Sequence, residues 1–176
     1  NSPYFPVHNP DNNGGFFGAQ AIDGTDPENP ARIASMDKQN QQRLKFLGNV
    51  YADVKIFDFL SYRLKVGVDY VDYTQKSHSP SYNTGPGGYS SRAAALINQN
   101  WQNFASVLLT NQLTFNKMFG KHSVNATVIA EQQSNTFSQI TGAGENGNSD
   151  VIDEFVGLTG GISLSGGASE SSLISY

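Results

Sequence analysis

Side chains able to do chemistry are few and scattered in this 176-residue chain. His8, His78 and His122 lie far apart in sequence, and none has the paired spacing of a zinc-binding HExxH helix. Asp150, Asp153 and Glu154 are close enough to share a site as general acid and base. Adjacent acids in a polar loop are, however, ordinarily solvated charge. Asp11-Asn12-Asn13-Gly14 offers the oxygen ligands calcium takes, but an EF-hand needs a bidentate acid six residues after its glycine, where this chain has Gln20. A plain Asn-Gly turn is the simpler reading. Gly85-Pro86-Gly87-Gly88 and Gly160-Gly161 lack the strand-loop-helix setting of a phosphate cradle. The expectation is a non-enzyme, with no catalytic residue, no metal and no cofactor.

The aromatic residues carry more. Tyr82, Asn83, Tyr89 and Arg92 fall in a Gly/Pro-punctuated segment. Tyrosines in such a loop stack on sugar rings, bury against a partner protein, or pack within the loop itself. Tyr62, Tyr70, Tyr73, Trp101, Phe115 and Phe119 fall near the ends of strand-like stretches. Those positions suit the interfacial girdles of a membrane barrel, the alternative being ordinary cross-strand pairs.

The elements that hold these residues are written in the alternation. From Leu44 to Ile56 the even positions are Leu, Phe, Gly, Val, Ala, Val and Ile, with mostly polar residues between. Tyr62, Leu64, Val66, Val68 and Tyr70 then share one face, and Ser61, Arg63, Lys65, Gly67 and Asp69 the other. Trp101, Ala105, Val107, Leu109, Leu113 and Phe115 repeat the pattern, and Val124, Ala126, Val128 and Ala130 follow it until Ile129 interrupts. A period of two predicts β-strands, because successive side chains point to opposite faces. Each arm exceeds the usual five or six residues of a globular strand. The reading is all-β, an antiparallel meander of four long strands at about 41–56, 61–73, 99–116 and 122–137, with another strand starting near Ser171. Tight turns at 57–60 and 117–121 lie at one end of the strands. Long outer loops at 1–40, 74–95 and 139–170 lie at the other, with a helical turn or two as one option between Asp150 and Leu158. Short turns opposite long loops are the habit of outer-membrane barrels.

Composition agrees. Hydrophobic residues make up only 38%, which a barrel tolerates because its interior can be polar and wet. The net charge of −4, with 11 scattered basic residues, argues against nucleic acid. There is no cysteine, hence neither a disulfide nor a thiolate metal site. No stretch approaches the 18 or so apolar residues of a membrane helix, and Asn1-Ser2-Pro3-Tyr4 does not open a signal peptide. The chain reads as a piece of something larger.

The runs Arg43–Ala52, Leu64–Tyr70 and Leu113–Ala126, the last containing Asn116-Lys117-Met118-Phe119-Gly120-Lys121-His122-Ser123, resemble barrel segments of SusC/RagA-type TonB-dependent outer-membrane transporters of Bacteroidota. Asp26–Ala31 and Glu170–Tyr176 fit the same order, so the resemblance covers nearly the whole chain. It implies a segment of a plugged transmembrane barrel of about 22 strands. It also implies import of oligosaccharides or peptides, powered through TonB and assisted by a SusD-like surface lipoprotein. The other implied partners are the rest of the barrel and plug, and outer-membrane lipid. Signal peptide, TonB box and plug have no counterpart in these residues, so wall and outer loops are what the segment would contribute. The competing reading is a soluble, secreted β-sandwich that binds carbohydrate through its loops. A sandwich normally uses shorter strands with turns every 8–12 residues, which favours the barrel.

Overall fold

The computed structural model of the chain describes residues 6–12, 15–18, 29–83, 91–151 and 158–176. In chain order they form helix α1 (Pro30–Met36), long strands β1 (Lys38–Phe57) and β2 (Leu60–Ser79), short strands β3 (Tyr82–Asn83) and β4 (Ser91–Arg92), and long strands β5 (Ala95–Phe119), β6 (His122–Asn146) and β7 (Gly160–Ser175). The five long strands make one antiparallel sheet in the order β1-β2-β5-β6-β7, each beside the next long strand in sequence. The two short strands pair antiparallel with each other, Tyr82 opposite Arg92.

Side-chain pairs fix the register of the sheet. Across β5 and β6, Ser106 meets Gln133, Thr110 meets Glu131 and Thr114 meets Thr127, numbers rising on one strand as they fall on the other. Between β1 and β2, Arg63 forks onto Asp53 at 2.6 and 2.9 Å. On the far side Asn135 reaches Ser171 of β7. The odd residues of β1, β2, β6 and β7 and the even residues of β5 therefore share one face, and it is the polar one in every strand. A one-residue slip anywhere would put polar residues among apolar ones, so the alternation specifies the register.

The strands outrun the stretches that alternate, β2 reaching Ser79 and β6 reaching Asn146. Backbone pairing needs no apolar side; alternation marks only the part of a strand whose two faces differ. The segment read as one outer loop at 139–170 accordingly holds the end of β6 and the start of a fifth strand. In β7, Ile162, Leu164 and Ala168 do alternate with Ser163, Ser165 and Ser169, but Gly160-Gly161 and Gly166-Gly167 read as turn signals. The segment at 1–40 is likewise not all loop. Asn29 caps α1, its side chain accepting from the Ala31 N–H, and Pro30 supplies the fixed φ suited to the first turn. The helical option at Asp150–Leu158 lies mostly outside the described residues.

By contacts the chain divides into two units. One holds residues 43–73, 101–139 and 166–176, the strand portions with both tight turns. The other holds 1–42, 74–100 and 140–165, the opposite strand ends and the long connections. The β5–β6 turn is sharp because Gly120 adopts φ +62°, a left-handed value that suits the first central position of a two-residue hairpin.

Candidate functional site

The turn-side unit is a single layer in which no residue is buried. Its apolar face carries Leu44, Phe46, Val50, Val54, Val107, Leu113, Val124 and Val128, all exposed, Val50 at 71%. A soluble sheet would bury such a face against a second layer. Among the described residues the only other sheet is the two-stranded ribbon of β3 and β4, so the carbohydrate-binding sandwich has no facing sheet. The reason it was entertained is that alternation reports one apolar side without saying what covers it.

Two amides interrupt the apolar face, and each is met by a tyrosine. Tyr62 donates its hydroxyl proton to Asn111 Oδ1, and Asn103 Nδ2 donates to the Tyr70 hydroxyl at 2.8 Å. Eight residues separate the two tyrosines, about 27 Å along a strand and about 20 Å of height at barrel tilt, against an apolar band about 25 Å tall. At the turn end Phe59 packs edge-on to Phe115 with centroids 5.6 Å apart, and Phe115 stacks with Phe119 at 6.5 Å. Lys117 lays its ammonium 4.4 Å from the Phe59 ring centre and 5.5 Å from that of Phe119. By alternation Trp101 shares the face of Phe115, whereas Tyr73 takes the face opposite Tyr62 and Tyr70. The aromatic set of the sequence is thus split between faces, and only Tyr73 leaves the apolar one.

The polar face of the same unit holds a niche of about 320 Å³ centred on Gly67. Lys65 and Asp69 stand on either side of that glycine along β2, with Asn49 on β1 and Ser106 on β5 as flanks. The Lys45 ammonium lies 3.6 Å from Asp69 Oδ1, an ion pair too long for a hydrogen bond. That oxygen is shielded from water and has no hydrogen-bond donor among the described residues. Sequence reading named none of these residues as site residues; the signal available was a glycine where every neighbouring strand carries a side chain on the polar face.

In the loop-side unit the structure brings together residues that sequence reading had apart. Tyr82 is 5% exposed, and the guanidinium carbons of Arg32 and Arg92 lie 4.0 and 5.1 Å from its ring centre. Arg32, itself 3% exposed, pairs with Asp37 at 3.3 Å. Arg92 also donates to the Pro80 carbonyl at 3.4 Å. Tyr82 therefore packs inside the unit and presents no open ring to a sugar or a partner, the third of the roles its loop position allowed. Asn83 is exposed, and Tyr89 lies outside the described residues. Asn29, also buried, donates to the carbonyls of Val7 and Phe17 and so ties the N-terminal turn to α1.

The residues first considered for catalysis or metal are dispersed. Asp150 accepts both the Ser81 N–H and its hydroxyl at 2.6 Å, while Asp153 and Glu154 lie outside the described residues. Asn12 spends its amide on the Phe16 carbonyl, bracing a turn closed by the His8–Phe16 bridge. His8 packs on Phe16, His122 opens β6 exposed, and His78 is buried with neither ring nitrogen bonded among the described residues. Among the described residues no three His, Asp or Glu side chains converge as metal ligands.

No protein-family model matches the sequence, and no curated protein matches it. Solved structures do. A chain of the RagAB peptide importer in its open-open state aligns with TM-score 0.70 at 16% identity, over 85% of this chain and 16% of that one. A RagAB peptide transporter chain gives TM-score 0.72 at 16% identity, over 85% and 17%. The closed-closed importer gives 0.70 at 15% identity, over 85% and 16%. At such identities the likeness is one of fold. The present chain spans about a sixth of those chains, consistent with a barrel segment.

Proposed function

We propose that this chain is a wall segment of a SusC/RagA-type outer-membrane transporter that imports peptides or oligosaccharides. The observation that carries the reading is the single-layer sheet with one exposed apolar face and one polar face. Lipid covers the first and a wet lumen the second, which accounts for five long strands without a core. The fold likeness to RagAB importer chains and the resemblance of Arg43–Ala52 and Leu113–Ala126 to that family support it independently. Under this reading Trp101, Tyr62, Tyr70, Phe115 and Phe119 sit at the lipid interfaces, and Asn83, Tyr89 and Arg92 lie on the outer side. A SusD-like lipoprotein closes the outer mouth, TonB supplies the energy through the plug, and the remaining strands pair with the edges β1 and β7.

Size-exclusion chromatography with light scattering, with and without detergent, tests this. The segment is expected to be soluble only in detergent and inside a particle much larger than itself. A monodisperse monomer in plain buffer overturns the membrane assignment.

A further inference from the structure

We infer that the niche around Gly67 is a binding subsite for a short extended peptide with free ends, the carboxylate toward Lys65 and the ammonium toward Asp69. The inference rests on the import reading and narrows its cargo. Three observations carry it. The first is shape: Gly67 leaves the floor of the niche open between two charged residues of the same strand. A Cβ there would stand 3.7 Å from Leu108 Cβ, an ordinary contact, so close packing of the strands does not explain the glycine. Its backbone lies outside the left-handed region, so conformation does not explain it either.

The second observation is charge. Lys65 is exposed and has no carboxylate partner among the described residues, unlike neighbouring Arg63, which forks onto Asp53. Asp69 Oδ1 is shielded from water and lacks a hydrogen-bond donor, although Lys45 stands near it. One end of the niche thus lacks an anion and the other lacks an N–H. A zwitterion supplies both, whereas a neutral oligosaccharide supplies neither charge and would leave Lys65 uncompensated. The third is length. Lys65 and Asp69 are four residues apart, about 13 Å along the strand, and four residues of extended peptide span about the same distance. Asn49 and Ser106 flank the path with an amide and a hydroxyl for the backbone of the guest.

The test uses the intact protein that carries this segment, in detergent, with three probes: tetra-alanine with free ends, its N-acetylated and C-amidated form, and maltotetraose. Calorimetry is expected to give the free peptide at least about tenfold tighter binding than the blocked one, as one charge-assisted contact supplies. Lys65→Gln and Asp69→Asn should each erase that preference while leaving the blocked peptide unaffected. Gly67→Leu, which keeps both charges but fills the floor, should weaken every peptide. Equal binding of free and blocked peptide, or a preference that survives both charge variants, overturns the subsite. Binding of maltotetraose alone overturns it as well and leaves import intact. Uptake of labelled peptide by whole cells is scored separately: if no peptide and no sugar enters, the import reading fails whatever the binding ratio.

Discussion

The side chains that matter most here work in pairs across strands. Asn103 and Asn111 would be costly on a lipid-facing surface if their amides had no partner, and Tyr70 and Tyr62 meet them. Tyr70→Phe removes one hydroxyl and strands the Asn103 amide. The expected loss is about 1–3 kcal/mol in urea unfolding of the intact protein in lipid, with most of it recovered in Tyr70→Phe/Asn103→Leu. If the single variant is silent, the amide has another partner and the face is not dry. Arg32 plays a comparable part in the loop-side unit, where it holds Asp37 and covers Tyr82. Arg32→Met should leave the strands in place while limited proteolysis of 29–37 speeds up by about tenfold, equal to about 1.4 kcal/mol of local stability. Unchanged cleavage would mean that Asn29 alone fixes the helix.

Each long strand is an element with two surfaces, and its turns set which way they face. Gly120, at φ +62°, leads β5 into β6 through a turn of two residues, Gly120 and Lys121. A β-branched side chain at such a backbone is strained, so Gly120→Val is expected to destabilise the hairpin by about 1–3 kcal/mol, while Gly120→Asn costs less. Equilibrium unfolding with a fluorescence probe on Trp101, in the same pair of strands, reads the difference. The edge elements behave otherwise. β1 and β7 end the sheet, and every residue of β1 except Gly48 is exposed. Unpaired strand edges are not tolerated in lipid, so these two strands are where the rest of a barrel must join.

Over the whole molecule, the division into an apolar and a polar face is the property that separates a membrane wall from a soluble sheet. Neighbouring positions on β5 test it directly. Val107, midway between Asn103 and Asn111 on the apolar face, is 44% exposed, whereas Thr110 on the polar face donates to Glu131 at 3.0 Å. Val107→Arg should cost about 2–4 kcal/mol in lipid, the penalty of a guanidinium near the midplane, while Thr110→Arg gains a carboxylate beside it and costs little. Folding into vesicles, followed by urea titration, separates the two. Equal tolerance of both would mean that water covers each face.

Much of this was legible in the residues. Alternation from Leu44 to Ala130 determined the strands, their register and the polarity of each face, because a period of two leaves a side chain no choice of face once its neighbours are placed. The tight turns followed from Asp58 and Gly120. What the sequence left open were features made by residues far apart in the chain. Tyr82 meets Arg32 across fifty positions. The niche at Gly67 draws on three strands, and a glycine in a strand reads the same whether it opens a site or only relieves packing. β7 went largely unrecognised because its glycines mimic turns, and only pairing with β6 holds them extended. Local chemistry fixes which way a side chain points; which others it meets depends on how the strands are brought together, and that is a property of the tertiary structure alone.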